Sequence, residues 1–476
     1  MKPASVFGWG AVARLGLVQA AIGAIVVLTT STLNRVMVVE LALPALLPGL
    51  LLALHHVVQI SRPRMGHGSD ASPRRTPWIL GGMLMLATGG VLAALATVWM
   101  GSQRSAGIAL ATLAFVLIGL GVAAAGTSLL ALLAQRVAPE RRAAAATTVW
   151  IMMIAGFVVT AGTAGHFLEP YTPQRLLQVA TVVCLAAVTL SVLALAGLEG
   201  RAARWAVSTA QADPPHPGHQ PVLSDQPDHS PDFRTALRQV WAEPEARRFT
   251  VFVFVSMLAY SAQDLILEPF VGLIFGMSPG ASTQLSGVQH GGTLVGMLLA
   301  AAAGSRLGGR HWGSLRGWAR GGCLASALTL LGLALSAWVG PGWPLQANVF
   351  LLGLATGAFS IAAIGSMMRL AGASGPGREG LRMGLWGAAQ SLAFALGGVV
   401  GTGLSDLARA ILGSPGMAYA GVFLLEAALF VWAARLMQDD AARAPSSDLR
   451  RMPGPVRPLP GRVTSTRSSH EPAILS

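Results

Sequence analysis

The chain has 476 residues, of which 53% are hydrophobic and only 11% are charged, about half the charge of an ordinary soluble domain. Its net charge of +13 suggests nucleic-acid binding, but the positive residues lie in short segments beside long apolar runs, which excludes that class and indicates lipid headgroups as partners. A single lysine, Lys2, excludes a P-loop, and two cysteines leave no zinc motif. Neither a catalytic residue nor a metal site is expected.

Twelve apolar stretches recur along the chain, each near the length of about 20 residues that a helix needs to cross the hydrocarbon core. They form two sets of six. The pattern therefore predicts an all-α integral membrane protein with a six-helix half at 1–198 and a second at 249–437. The predicted spans are 12–33, 41–60, 78–99, 107–134, 144–167, 176–197, 249–275, 284–305, 318–339, 346–369, 383–406 and 417–436.

Two polar segments lie outside these halves. Segment 199–248 is rich in Pro, His and Asp and is predicted to be a linker, and segment 438–476 is predicted to be a disordered tail. Of the 33 basic residues, all but four fall on one side of the predicted spans. Because cytoplasmic loops collect Arg and Lys, the linker and both termini are predicted to be cytoplasmic. The four exceptions are Arg35, Arg104, Arg175 and Arg409.

Six spans, a long cytoplasmic linker and six further spans resemble the major facilitator superfamily. That superfamily has a Gly-x-x-x-Asp motif followed by basic residues between helices 2 and 3, and here Gly66, Asp70, Arg74 and Arg75 match it. Asp70 can accept hydrogen bonds at a helix N-terminus and pair with an arginine across the loop. This loop is therefore a candidate conformational latch, and its equivalent in the second half lacks the Asp.

Ionisable residues inside a membrane are costly and indicate function. Asp264 and Glu268 lie four residues apart in predicted span 7, so they share one helix face, where they can carry a proton or accept an arginine. Arg35 lies at a similar depth in span 1, and an Arg35–Glu268 pair between the halves is one hypothesis. The alternatives are solvation of both residues near the surface, or a local pair between Arg35 and Glu40. The candidate site also includes two residues with side-chain amides that directly precede these charged residues, Asn34 and Gln263.

Four strings of the sequence carry a narrower resemblance: 14–19, 33–41, 62–70 and Gln263-Asp264-x-x-x-Glu268-Pro269. They resemble the PucC (BCH/PUCC) family of the major facilitator superfamily, and the resemblance extends over both halves but not the linker or the tail. The loop 74–78 departs from the antenna-assembly form and is closer to the branch associated with bacteriochlorophyll synthesis.

The resemblance implies a multi-pass protein of the bacterial inner (intracytoplasmic) membrane that helps to assemble photosynthetic complexes, by binding bacteriochlorophyll or delivering it to light-harvesting polypeptides. The implied partners are the lipid bilayer, bacteriochlorophyll and its synthase, and light-harvesting polypeptides, with no nucleic acid. Bacteriochlorophyll would be cargo, and no covalent cofactor is expected. Two alternatives stay open: a proton-coupled transporter of a small amphiphile that uses Asp264 and Glu268, and a non-transporting membrane scaffold.

Histidines matter for a pigment cargo, because neutral imidazole can ligate the magnesium of bacteriochlorophyll. The alternative is that each histidine within a predicted span only forms hydrogen bonds between helices. Because His55 and His56 are adjacent and point about 100° apart on a helix, at most one of them faces a given pocket. The candidate ligands are His55, His56, His166 and His290.

Overall fold

The computed structural model describes residues 7–62, 65, 72, 74–138, 141–199, 238, 241–304, 314–372 and 379–437, and within these ranges the chain is helical and contains no strand. The long helices of the N-terminal half are α1 (Trp9–Val27), α2 (Leu46–Val58), α3 (Thr76–Met100), α4 (Arg104–Arg136), α5 (Arg142–Phe167) and α6 (Pro173–Leu195). Those of the C-terminal half are α7 (Pro244–Phe275), α8 (Pro279–Gly304), α9 (Leu315–Val339), α10 (Leu345–Gly372), α11 (Glu379–Leu412) and α12 (Pro415–Leu436).

Ten of these helices are long and apolar enough to cross a membrane, which confirms the predicted all-α membrane protein. The two that fall short are α2, which is short, and α8, which carries several polar side chains. The count of twelve spans and the cytoplasmic position of the termini stay predictions. So do the domain bounds, because the tail and most of the linker lie outside the described residues.

The two halves repeat one pattern of helix contacts. In the N-terminal half α1 packs on α5 and α6, α3 packs on α4 and α6, and α2 packs on α4. The C-terminal half has the equivalent contacts: α7 with α11 and α12, α9 with α10 and α12, and α8 with α10. Between the halves α5 packs on α8, and α11 packs on α2. The two interfaces are equivalent as well, so the halves are related by a pseudo-two-fold axis.

Small residues let neighbouring helices approach closely within each half. A Cβ atom on Gly121 of α4 would lie 2.6 Å from the backbone nitrogen of Leu86 in α3, and one on Gly322 of α9 would lie 2.8 Å from Phe359 in α10. Such contacts replace the hydrophobic driving force, which is absent between helices in lipid.

Irregular backbone marks the place where α1 meets α7. After Val27, α1 continues without a break to Glu40 through two π-helical segments, Leu28–Leu33 and Val36–Glu40. Helix α7 contains Pro269. π-Helical turns and helix-internal prolines often mark functional sites. Both features lie near the α1–α2 and α7–α8 connections. These two connections lie at the same end of the bundle as the α5–α6 and α11–α12 connections, and we call it the arginine-poor end.

Candidate functional site

A hydrogen bond joins the two halves at the proline of α7. Proline has no N–H, so Pro269 cannot donate to the carbonyl of Leu265, four residues before it. The side-chain nitrogen of Asn34, from α1, donates to that carbonyl at 2.7 Å. Asn34 is 1% exposed. An amide from one half thus satisfies a backbone carbonyl that a proline has freed in the other.

Glu268 lies one residue before this proline and is also bound by α1. The hydroxyl of Ser31 donates to its carboxylate oxygen Oε1, and the hydroxyl of Ser282, at the start of α8, lies near the same carboxyl group. Glu268 is 3% exposed, and both Arg35 and Asp264 are near enough to act on its charge. A carboxyl buried to this degree is costly to ionise unless hydroxyl donors or a positive charge offset the cost. The site can therefore hold a proton.

Arg35 reaches the opposite half, but not through Glu268. Its guanidinium forms an ion pair with Glu40 at 2.6 Å and also donates to the backbone carbonyl of Met277. It lies over Gly272, where a Cβ atom would come within 3.1 Å of the guanidinium. The structure therefore has the local Arg35–Glu40 pair, and the described contacts do not include the hypothesised Arg35–Glu268 pair.

Two carboxylates close the arginine-poor end symmetrically. Glu169, after α5, accepts hydrogen bonds from the hydroxyl of Ser278 and from the backbone nitrogen of Ala281 at 3.1 Å, at the start of α8. Asp406, in α11, accepts from the backbone nitrogens of Ala45 and Leu46, at 3.1 and 2.7 Å, at the start of α2. We call these contacts the carboxylate caps. Each satisfies free N–H groups at a helix start in the other half.

A second polar group lies deeper, between α7 and α8. Gln263 is completely buried, and its Oε1 accepts a hydrogen bond of 3.4 Å from the side chain of Gln289. Asp264, next in the chain, is only half-buried and lies near Tyr260. Asp264 therefore faces a different direction from Gln263.

His290 is a buried histidine in the interface between α5 and α8. It is 4% exposed and makes no hydrogen bond with any described residue. Its ring meets Phe157 of α5 edge to face, with the ring centroids 4.9 Å apart. His290 thus sits in the interface between the halves. Buried imidazoles normally have partners, so this one requires an explanation.

The other three candidate ligands differ from His290. His55 and His56 share the amide of Gln59, at 2.8 and 3.5 Å. His56 also packs against Phe394 of α11, with the ring centroids 5.1 Å apart. His166 is exposed near the end of α5. The structure therefore does not bring the four histidines together.

Part of the loop motif lies outside the described residues, namely Gly66 and Asp70. Arg74 is exposed, whereas Arg75 is buried and donates through Nε to the side-chain oxygen of Gln135 at 3.1 Å. The backbone nitrogens of Arg75 and Thr76 donate to Glu199, at 3.1 and 2.8 Å. Glu199 thus caps the start of α3, although the sequence placed it in the linker.

Several residues of the site escaped the sequence analysis. Ser31, Glu169 and Gln289 are ordinary polar residues with no motif around them. Tyr171 lies in the α5–α6 connection near the Arg35–Glu40 pair, where burial and the Glu40 carboxylate raise the pKa of its hydroxyl.

Comparison with known proteins places the chain among relatives from photosynthetic bacteria. The family model described as PUCC protein matches residues 32–443. A relative from Rhodobacter capsulatus named "Bacteriochlorophyll synthase 44.5 kDa chain" is 50% identical over 90% of this chain and 95% of its own length. A Rhodobacter capsulatus protein named PucC is 30% identical over 88% of this chain and 89% of its own length.

Solved transporters share the fold. A D-xylose–proton symporter aligns with a TM-score of 0.64 at 13% identity, over 89% of this chain and 97% of the symporter. An inward-facing bacterial homologue of the human lysosomal transporter Spinster aligns with a TM-score of 0.58 at 15% identity, over 92% of this chain and 98% of that protein. These likenesses confirm the predicted major facilitator fold and carry no information on cargo.

Proposed function

We propose that this chain, which belongs to the PUCC protein family, is a membrane factor for photosynthetic complex assembly. In this proposal it binds bacteriochlorophyll and delivers it to light-harvesting polypeptides. The name of the relative at 50% identity supports a role beside bacteriochlorophyll synthesis. The facilitator fold favours a carrier over an enzyme. We infer that the protein acts on finished pigment next to a synthase and has no catalytic step of its own.

His290 is the observation that carries this proposal. An imidazole with no protein partner has a lone pair free for the magnesium of a pigment, whose open axial position imidazole fills. Each histidine of α2 uses one ring nitrogen on Gln59, although His55 Nδ1 is also buried without a partner among the described residues, and His166 lies at the bundle surface. We expect His290 to ligate the pigment, because it is the buried candidate whose ring makes no hydrogen bond with a described residue.

The surroundings of His290 suit a large apolar cargo. Ile154 of α5 packs with Met297 and Ala300 of α8, and Phe157 lies beside this cluster. Around it, α5 and α8 touch through glycines such as Gly162 and Gly287, where the backbones come close. Binding of a pigment here therefore requires α5 and α8 to separate, and the apolar side chains of this interface would then line the site.

The test is an absorption spectrum of the detergent-purified protein from a pigment-making photosynthetic host. We expect near-stoichiometric bacteriochlorophyll, most of it lost in His290→Leu and retained in the matched variant His166→Leu. A colourless wild-type protein after gentle extraction would contradict the proposal. An equal amount of bound pigment in wild type and His290→Leu would show that another residue ligates the magnesium.

A second candidate function is proton-coupled transport of a small amphiphile. Asp264 favours it, because this carboxyl is half-buried inside α7 and acts electrostatically on Glu268. Transport of this kind should lose its dependence on a pH gradient in Asp264→Asn proteoliposomes. A scaffold without transport should instead tolerate that change.

A further inference from the structure

We propose that Asp264 and Tyr260 of α7 and Phe394 of α11 bind the ammonium group of an organic cation in a space between the halves. This site is separate from the proposed pigment site at His290 and goes beyond that function. The ammonium group can belong to a small amphiphile or to a lipid headgroup, and titrations in nanodiscs distinguish these two sources.

Asp264 is a carboxyl group near the middle of the membrane that has no partner in the protein. Helix α7 ends at Phe275, which places Asp264 about 16 Å from the arginine-poor end of the helix. The Asp264 side chain is only half-buried, and its carboxyl makes no hydrogen bond or ion pair with a described residue. Ionisable groups at this depth face the interior of a bundle or a water-filled space, because lipid offers them no partner.

The exposed part of Asp264 faces the opposite half. Tyr260, Asp264 and Glu268 follow one another at intervals of four residues, so they lie along one side of α7. At one end of this row, Glu268 accepts a hydrogen bond from Ser31 of α1. The helices that α7 packs on within its own half, α11 and α12, cover its other sides. Asp264, one turn before Glu268, therefore lies on the side of α7 that faces the N-terminal half.

The other end of the row reaches the junction of α7, α11 and α2. The ring of Phe394 in α11 lies against Tyr260, with the ring centroids 5.9 Å apart, and against His56 of α2, at 5.1 Å. A single benzene ring thus separates side chains from the two halves. All three rings are half-buried, as Asp264 is. Partial exposure of four neighbouring side chains at the junction of the halves indicates a space between them.

This space is closed towards the arginine-poor end. One turn beyond Asp264, the bond from Ser31 to Glu268 joins α1 to α7. Asn34 of α1 joins α7 beside it, through its hydrogen bond to the Leu265 carbonyl. A ligand therefore reaches Asp264 from the arginine-rich end, which is the predicted cytoplasmic side.

The groups around this space match an ammonium ion. A carboxylate supplies the opposite charge, and aromatic rings attract a cation that lies within about 6 Å of the ring centroid. The hydroxyl of Tyr260 has no partner among the described residues and adds a hydrogen-bond acceptor. Asp264 would repel an anion, and a neutral ligand would leave the carboxylate without a counter-charge. The site therefore selects a cation with an apolar body.

Isothermal titration calorimetry with benzyltrimethylammonium tests the proposal on protein purified from a host that makes no bacteriochlorophyll. Wild type should bind this cation but not benzyl alcohol, which has the same ring and no charge. Asp264→Asn should weaken binding by about tenfold or more, since it removes the charge and keeps the shape. Tyr260→Leu should weaken it about threefold to tenfold, whereas Tyr260→Phe keeps the ring and should bind within about twofold of wild type.

Glu245 provides the matched control in the same helix. Its carboxylate lies in the first turn of α7, is exposed and pairs with Arg316. Glu245→Gln should therefore bind the cation as wild type does. Unchanged binding in Asp264→Asn, or equal binding of both compounds to wild type, overturns the site. Should Asp264→Asn not fold, the two Tyr260 variants decide, because equal affinities of the Leu and Phe variants contradict the aromatic contact.

The source of the ammonium group follows from the same titration in nanodiscs. Weaker binding of benzyltrimethylammonium when the nanodiscs contain phosphatidylethanolamine would assign the site to a lipid headgroup, and equal binding would assign it to a free cation. Both results support an ammonium site. A wild-type protein that binds no cation in detergent or in nanodiscs overturns the inference and leaves the pigment proposal standing, because the protein in this experiment carries no pigment.

Discussion

Asn34 and Leu265 lie in different halves of the protein and are joined by a hydrogen bond of 2.7 Å. The bond is needed because Pro269 leaves the Leu265 carbonyl without its normal donor in α7. In lipid no water can replace that donor, so the carbonyl must find a partner within the protein. The same bond holds α1 against α7. The carbonyl that Pro269 leaves without a donor in α7 is thus the acceptor of a contact between the halves.

The first prediction concerns this dependence on the proline. Asn34→Leu should lower the free energy of unfolding by about 1–3 kcal/mol, because it leaves the Leu265 carbonyl unsatisfied. In a Pro269→Ala background the same change should cost almost nothing, since the alanine supplies the missing backbone N–H. Thermal unfolding of the four proteins in detergent, analysed as a double-mutant cycle, measures the coupling.

Asn348 provides the control for this cycle. Its side-chain nitrogen also donates to a backbone carbonyl, that of Thr329, at 2.9 Å, but within one half and with no proline involved. Asn348→Leu should therefore cost the same with and without Pro269. An equal cost of Asn34→Leu in both backgrounds would show that the proline does not create the need for Asn34.

The second prediction is an asymmetry within the Arg35–Glu40 pair. The Arg35 side chain is 3% exposed, whereas that of Glu40 is 34% exposed. Glu40→Gln leaves a buried positive charge without its carboxylate, and such a loss typically costs about 3–5 kcal/mol. Arg35→Met leaves a carboxylate that water can reach and should cost about 2 kcal/mol less.

Chemical denaturation of both variants measures the difference. An Arg35→Met protein that is less stable than Glu40→Gln would contradict the asymmetry. The Glu40→Gln/Glu268→Gln double variant adds a check, because Glu268 is the nearby carboxyl to which a freed Arg35 can turn. The loss of stability of the double variant should exceed the sum of the losses in Glu40→Gln and Glu268→Gln.

The fold was predictable from composition because each span must be long and apolar, and because arginine marks one side of the membrane. The partners in the site were predictable only in part. The sequence left open whether Arg35 pairs with Glu268 or locally with Glu40, and the structure has the Glu40 pair, which the i→i+5 hydrogen bonding of a π-helical turn brings onto the same face. The other partner of Arg35, the Met277 carbonyl, lies 242 residues away and leaves no signal in the sequence.

The third prediction concerns a carboxyl that the proposed function does not use. Glu426 of α12 is 1% exposed, and neither carboxyl oxygen has a hydrogen-bond partner within the described ranges. Burial without a partner costs free energy, so Glu426→Leu should stabilise the protein by about 1–4 kcal/mol. Glu245, whose pair with Arg316 is exposed, is the control, and Glu245→Leu should change stability by less than about 1 kcal/mol. A Glu426→Leu protein that is less stable than wild type would show that the Glu426 carboxyl has a stabilising partner in the folded protein.

The fourth prediction concerns the carboxylate caps, which join the halves at pseudo-symmetric positions. Opening of the arginine-poor end must break the bonds of Glu169 to α8 and those of Asp406 to α2. Removing a side-chain cap from a helix start costs about 0.5–2 kcal/mol. Glu169→Ala and Asp406→Ala should each lower the closed population, and the double variant should lower it by the product of the two factors. The two factors are expected to differ, because Asp406 is also paired with Arg409 within α11.

Distances between spin labels on the two halves measure that population. Labels attached through Ser102→Cys and Gln346→Cys sit on exposed positions of the α3–α4 connection and the start of α10. The native Cys184 and Cys323 are buried, and buried thiols of this kind react slowly with labels. The double variant should show a longer distance that wild type lacks. Glu245→Ala, which removes a carboxylate bonded within one half, should leave the distribution unchanged. An identical distribution in wild type and the double variant would mean that the bonds around Asn34 and Arg35 hold this end closed without the caps.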